Sequence, residues 1–290
     1  MCVTCGCSDD AEVTMINPET EEVQAISSNG NAHPHFHTHT LPDGTVISHS
    51  HTHDSLTEAS HIHAKTHGTT ISLEQDILAK NNLIAAQNRG WFKGRNILAL
   101  NLMSSPGAGK TTLLTRTIND LKHQLTISVI EGDQETANDA KKIQATGCKV
   151  VQINTGTGCH LEAAMVERGL QQLNPPLNSV VMIENVGNLV CPALFDLGEN
   201  AKAVILSVTE GEDKPIKYPH IFRASEVMIL TKIDLLPYVQ FDVQHCIEYA
   251  QQVNPHIRIF QVSALTGTGL ANWYSWLLDK VSNIAILNHL

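Results

Sequence analysis

One stretch limits what this chain can fold into more than any other. Ser104-Ser105-Pro106-Gly107-Ala108-Gly109-Lys110-Thr111-Thr112 follows an apolar run, Asn96–Met103, and opens a helical pattern at Leu113-Leu114-Thr115-Arg116-Thr117-Ile118. Strand, glycine-rich turn and helix in that order form the context of a phosphate-binding loop. Backbone N–H groups of the turn and the positive end of the helix then face nucleotide phosphates. In that role residues Gly107, Ala108, Gly109 and Thr112 line the cradle, Lys110 reaches the β- and γ-phosphates, and the Thr111 hydroxyl ligates Mg²⁺. Ser104 stands where the motif usually carries its first glycine.

The rest of the body fits that start. Apolar runs at Ile97–Met103, Thr126–Ile130, Lys149–Ile153, Ser179–Glu184, Ala203–Val208, Glu226–Thr231 and Ile257–Val262 alternate with helical patterns. Their near-continuous Val, Ile and Leu suit strands buried on both faces, which predicts an α/β fold with a doubly wound, mostly parallel sheet. A further amphipathic helix over Ser72–Arg89, ending near Gly90, is expected to pack on the sheet before the first of these strands. Ligands of such sheets sit at the carboxyl ends of the strands. Asp133 follows the second run and is a candidate for Mg²⁺. Glu184-Asn185-Val186-Gly187 follows the fourth, where nucleotide hydrolases keep an acidic residue and a glycine that sense the γ-phosphate. Lys110, Asp133 and Glu184 are therefore the candidate catalytic set. Thr231-Lys232-Ile233-Asp234 follows the sixth run; Asp234 can accept two hydrogen bonds from guanine, Lys232 can cover the base, and Thr231 replaces the usual Asn, which weakens the scaffold of the base pocket. Ser263-Ala264 follows the last run as a turn for the guanine O6. Together these make GTP the expected nucleotide, with ATP the alternative.

The first 70 residues read differently. They hold nine acidic side chains and one basic, Lys65, whereas the remaining 220 are nearly balanced in charge. No basic field for nucleic acid results. The start, Met1-Cys2-Val3-Thr4-Cys5, lacks the features of a secretory signal, and no apolar run approaches the roughly 18 residues of a membrane span. Three of the seven cysteines, Cys2, Cys5 and Cys7, crowd the N-terminus around Gly6. That fits thiolate binding of Zn, Cu(I) or Ni(II) in a reducing cytosol better than a disulfide framework. Ten of the sixteen histidines fall between His33 and His67 among Thr, Ser, Gly and Asp, too polar to build a core. This tract is expected to be disordered without metal and able to bind several Ni, Zn or Cu ions. Residues 1–70 are thus read as a metal-binding region ahead of a nucleotide-binding domain at 71–290.

A second donor set lies in the body. Cys159-His160 follows the third run, and Cys191-Pro192 follows the Glu184–Gly187 loop. Two thiolates and an imidazole at the nucleotide edge leave one coordination position open, as suits a site of transit more than a closed structural Zn. Cys148 and Cys246 are expected simply to pack.

With these motifs in view the sequence resembles the HypB family, GTPases that help insert nickel into [NiFe] hydrogenase. The resemblance spans nearly the whole chain, from the N-terminal cysteines and the His-rich insert through the phosphate loop, Glu131-Gly132-Asp133-Gln134, Cys159-His160 and Glu184–Pro192 to Ser207–Pro215. It implies a SIMIBI-class G domain that forms a GTP- or metal-dependent homodimer, a tight Ni²⁺ site at Cys2, Cys5 and Cys7, and a weaker Ni²⁺/Zn²⁺ site at Cys159, His160 and Cys191. It further implies work with a hydrogenase large subunit and a companion nickel-delivery protein in the cytoplasm. Because the loop from Glu184 runs into Cys191, nucleotide state is expected to move one metal ligand of three. No arginine finger or water-positioning Gln stands near that loop in sequence, so hydrolysis is expected to be slow. The rival readings are a metal-buffering protein with little use for its nucleotide site, and a GTPase serving another metalloenzyme such as urease.

Overall fold

The computed structural model describes residues 14–17, 22–25, 33–40, 46–53, 67–134 and 138–287. Cys2, Cys5 and Cys7 lie outside them. The chain divides into two units, residues 27–69 and the remainder.

In chain order the elements are β1 (Thr14–Asn17), β2 (Glu22–Ala25), β3 (His33–Thr40), β4 (Val46–His53), α1 (His67–Gly94), β5 (Leu98–Ser104), α2 (Lys110–Leu121), β6 (Ile127–Asp133), α3 (Asn138–Gln144), β7 (Lys149–Asn154) and α4 (Ala163–Leu173). They continue with β8 (Val180–Glu184), α5 (Cys191–Leu194), β9 (Ala201–Ser207), α6 (Lys214–Lys217), α7 (Pro219–Ala224), β10 (Val227–Thr231), a 3-10 helix (Ile233–Tyr238), α8 (Val243–Val253), β11 (Arg258–Gln261) and α9 (Leu270–Leu287).

The smaller unit holds β3 and β4 as an antiparallel pair, with His33 opposite His53, His35 opposite His51 and His37 opposite His49. An isolated two-stranded pair is marginally stable in water, in keeping with the shortage of apolar residues in this tract.

All seven apolar runs of the body are strands, in the order β11-β10-β9-β5-β8-β6-β7, and they pair in parallel. β5, which leads into the phosphate loop, lies between β8 and β9, so the loops after these three strands are neighbours. Alternation along β5 separates two helical layers. Leu98, Leu100 and Leu102 join Leu113 and Ile118 of α2 and Trp273 and Leu277 of α9 in one cluster. On the other face, Ala99 packs with Phe92 of α1 and Val166 and Leu170 of α4, while Met103 packs with Phe222 and Cys246.

Two features depart from the sequence reading. α1 does not stop at Gly90: Phe92 is fully buried against the sheet, so the helix continues to Gly94 and turns at Asn96, φ 53°. In addition β1 pairs antiparallel with β7, and β2 with β1, carrying the sheet into the segment read as tail. Met15, 5% exposed, anchors this hairpin in the α1/α4 layer of the core. A four-residue strand gives too short an alternation to be seen in sequence.

Candidate nucleotide and metal site

The phosphate loop turns on two glycines in the left-handed region, Gly107 (φ 76°) and Gly109 (φ 90°). L-residues with a Cβ rarely adopt that region. Gly109 caps α2, so the first N–H groups of the helix point into a cleft of about 450 Å³ lined by Ser104–Thr112, Asp133, Val186, Gly187 and Lys232. Ser104 has no positive φ; it is the buried end of β5, its hydroxyl donating to Ser105 O at 2.8 Å. That explains why no glycine is needed there.

Charge is concentrated at one end of the cleft. Lys110 Nζ lies 3.5 Å from Glu184 Oε1, and Thr111 Oγ1 lies 2.6 Å from the same oxygen and 3.0 Å from Asp139 Oδ2. Burial pushes the Glu184 carboxyl above its usual range against the pull of Lys110. Glu131, opposite Glu184 across β6 and β8, is pushed up to about 9 by burial and then by the charges of Glu184 and Asp133. The Thr111 hydroxyl and the Glu184 and Asp139 carboxylates offer oxygen donors, which suit a hard divalent cation. Thr111, Glu184 and Asp139 would hold Mg²⁺, which would offset the charge of bound phosphates; Asp133 lines the same cleft. Asp139 escaped the sequence reading, because it sits within α3 and not directly after a strand.

The base-side residues follow β10 and β11. Thr231 Oγ1 donates to Ala108 O at 2.6 Å, tying β10 to the phosphate loop. Where Asn is usual, the shorter Thr231 side chain still reaches the loop carbonyl. Lys232, at φ 59°, donates to Gly107 O at 2.7 Å. Asp234 lies in the first turn of the 3-10 helix. Ser263 is fully buried, and Ala264 O accepts from Arg116 of α2 at 3.0 Å, fixing the last loop against the helix that starts the site. Glu210 was also missed: it accepts from Ser207 N at 3.0 Å and from the Ser105 hydroxyl, bracing the phosphate loop from the β9 side. Gln134 lines the cleft, its Nε2 donating to Gly158 O at 3.3 Å.

The metal-ligating atoms of Cys159, His160 and Cys191 all lie within 4.8 Å of one another. Cys159 Sγ is 3.6 Å from His160 Nδ1, and the imidazole stacks on Phe195 at 3.9 Å, which fixes its plane. Cys191 is fully buried at the start of α5. Two sulfurs and one nitrogen suit a borderline or soft divalent ion such as Zn²⁺ or Ni²⁺. Cys148 and Cys246 stand apart; burial pushes both thiols up to about 12.

The family model described as the CobW/HypB/UreG nucleotide-binding domain matches residues 98–261, more than half of the chain. A hydrogenase maturation factor HypB from Escherichia coli (strain K12) is 46% identical over 290 residues, covering 96% of this chain and 98% of that protein.

The chain belongs to the HypB family.

A second HypB, from Rhizobium leguminosarum bv. viciae, is 54% identical over 226 residues, 78% of this chain and 76% of that protein. The crystal structure of HypB from Helicobacter pylori in complex with nickel superposes with a TM-score of 0.66 at 37% identity, over 70% of this chain and 96% of that one. The fold is that of a SIMIBI-class P-loop GTPase, and among the described residues no helix is long and apolar enough to cross a membrane.

Proposed function

We propose that this HypB-family chain is a GTP-hydrolysing nickel chaperone. It stores nickel and delivers it, in step with nucleotide state, during maturation of a [NiFe] hydrogenase. The observation that carries this reading is the continuity of one loop. It begins at Glu184, in contact with Lys110 and Thr111, and ends at Cys191, whose sulfur lies within 4.8 Å of the Cys159 and His160 ligand atoms. The names of the relatives, which refer to hydrogenase maturation, and the nickel in the Helicobacter pylori structure support the cargo and the pathway.

The chain's residues divide the work. Loop N–H groups and Lys110 hold the phosphates. Thr111 and the surrounding carboxylates hold the cation that offsets their charge. Asp234, Lys232, Ser263 and Ala264 select guanine. Gly187 reports the occupancy of the phosphate end, since a Cβ there would lie 3.1 Å from Pro106 of the phosphate loop. Movement of that contact changes where Cys191 stands relative to Cys159 and His160, and linkage makes metal bias nucleotide binding equally. Turnover is slow, because among the described residues no arginine lines the cleft and Gln134 is engaged with Gly158. Cys2, Cys5 and Cys7 form the tight nickel site and the histidine tract the store. The active form is a dimer that passes nickel to a companion protein and then to the hydrogenase large subunit.

Ni²⁺ and Zn²⁺ titrations in the GDP and GTP-analogue forms, together with GTP turnover, test this reading. Lys110→Ala should abolish turnover, and Cys191→Ala should weaken the body's metal site and remove its nucleotide dependence. Equal metal affinity in both nucleotide forms of the wild type overturns the coupling.

A further inference from the structure

One buried side chain that is neither a metal ligand nor a phosphate contact touches both halves of the site. Asn185, 1% exposed, follows Glu184 at the end of β8. Its Oδ1 accepts two backbone N–H groups: that of Leu161 at 3.0 Å and its own neighbour Val186 at 3.0 Å. Its Nδ2 donates to Asn101 Oδ1 at 3.2 Å, and Asn101, in the middle of β5, donates to Glu199 Oε1 at 3.1 Å. The carboxamide thus has one oxygen shared between two loops and a nitrogen anchored to the strand that leads into the phosphate loop.

The two N–H groups belong to different machinery. Leu161 directly follows Cys159-His160. It is wedged against β6, because a Cβ on Gly132 would lie 2.7 Å from its Cγ. Val186 precedes Gly187, which meets Pro106. Asn185 is a direct polar tie between the Glu184–Gly187 loop and the Cys159–His160 loop.

Resting on the reading above, we propose that Asn185 is the positioning residue that couples nucleotide state to metal affinity. Both N–H groups share one acceptor. A rotation of the Val186 peptide that alters its bond to Oδ1 alters the hold on Leu161, and so displaces Cys159 and His160 relative to Cys191. A buried amide shared in this way is costly to leave half-satisfied, so the two loops switch together. Metal affinity then responds through all three ligands and not through Cys191 alone.

The test uses the full chain with Cys2→Ala, Cys5→Ala and Cys7→Ala, so that the thiolate-to-Ni²⁺ absorption band reports Cys159 and Cys191. Ni²⁺ is titrated into the GDP- and GTP-analogue-loaded forms of this parent and of its Asn185→Ala variant. The parent is expected to show about a tenfold difference in Ni²⁺ affinity between the two forms. Asn185→Ala should reduce that difference below about twofold, while keeping the band and a nucleotide affinity within about threefold of the parent. A variant that retains the parent's difference overturns the role of Asn185 and leaves the nickel-chaperone reading standing. A variant that loses nucleotide affinity itself by more than about tenfold also overturns it, since Asn185 would then serve the phosphate loop. A parent with no difference overturns the reading and this inference together. Amide exchange at Leu161 in the unsubstituted chain gives an arm that needs no variant. Its protection should differ severalfold between the two nucleotide forms, and equal protection overturns the proposal.

Discussion

Thr231 shows how one atom can decide a site. A threonine hydroxyl is shorter than a carboxamide, yet β10 runs close enough to the phosphate loop for Oγ1 to reach Ala108 O at 2.6 Å. Losing that donor leaves a loop carbonyl unpaired, at a cost of about 1–3 kcal/mol. Thr231→Val is therefore expected to weaken GTP binding about tenfold. The preference for GTP over ATP should persist, because Asp234 is untouched; Asp234→Asn should erode that preference instead. Competition of GTP and ATP against a fluorescent GDP separates the two outcomes. The cysteines make a second point at this scale. With thiols pushed up to about 12, Cys148 and Cys246 expose almost no thiolate at pH 8. Only about one molecule in ten thousand carries it. Brief treatment of the folded chain with iodoacetamide, read by peptide mass, should leave both unmodified, and unfolding should expose both. Sequence separated these packing cysteines from Cys159 and Cys191 by their neighbours alone. It could not find Asp139 or Glu210, whose roles depend on a helix and a loop folding back onto Thr111 and Ser105.

The elements were legible wherever burial was continuous. Each run of Val, Ile and Leu in the body became a strand because both of its faces are covered by helices, so no alternation was required. The end of α1 was not legible, because glycine is locally a stop signal and only the buried Phe92 two residues later overrides it. Gly90 therefore lies inside a helix with no left-handed φ and nothing within 4 Å of an added Cβ. Gly90→Ala should raise stability by about 0.5–1 kcal/mol. Gly198 is the opposite case: its φ is 88°, and a Cβ would lie 2.5 Å from Ala85 O of α1. Gly198→Ala should lower stability by about 2 kcal/mol or more. Urea unfolding of the two variants checks both signs, and a common sign would contradict the placement of α1 against the 196–199 loop.

For the molecule as a whole, the functional edge is built from loops distant in sequence. Asp133 and Glu184 end, and Cys159 and Lys232 follow, four different parallel strands, so their convergence comes from the strand order and is visible only once β5 is known to lie between β8 and β9. The hairpin β1–β2 enlarges this assembly. Met15 is its buried anchor, and Met15→Ala should cost about 2 kcal/mol in urea unfolding. A silent substitution would mean that the hairpin is not docked on β7.

The direction of that hairpin has a consequence for traffic along the chain. Because β1 runs antiparallel to β7, Thr14 sits opposite Asn154, at the rim from which the loop to Cys159 departs; β2 returns to the same rim, with Ala25 opposite Thr14. Cys7 precedes Thr14 by seven positions. Seven residues span at most about 25 Å, which bounds how far Cys7 can lie from Thr14. If the N-terminal cysteines hold nickel as proposed, an ion they release is freed on the same chain as Cys159, His160 and Cys191, and handover becomes a matter of reach and not of a chance encounter with a second molecule.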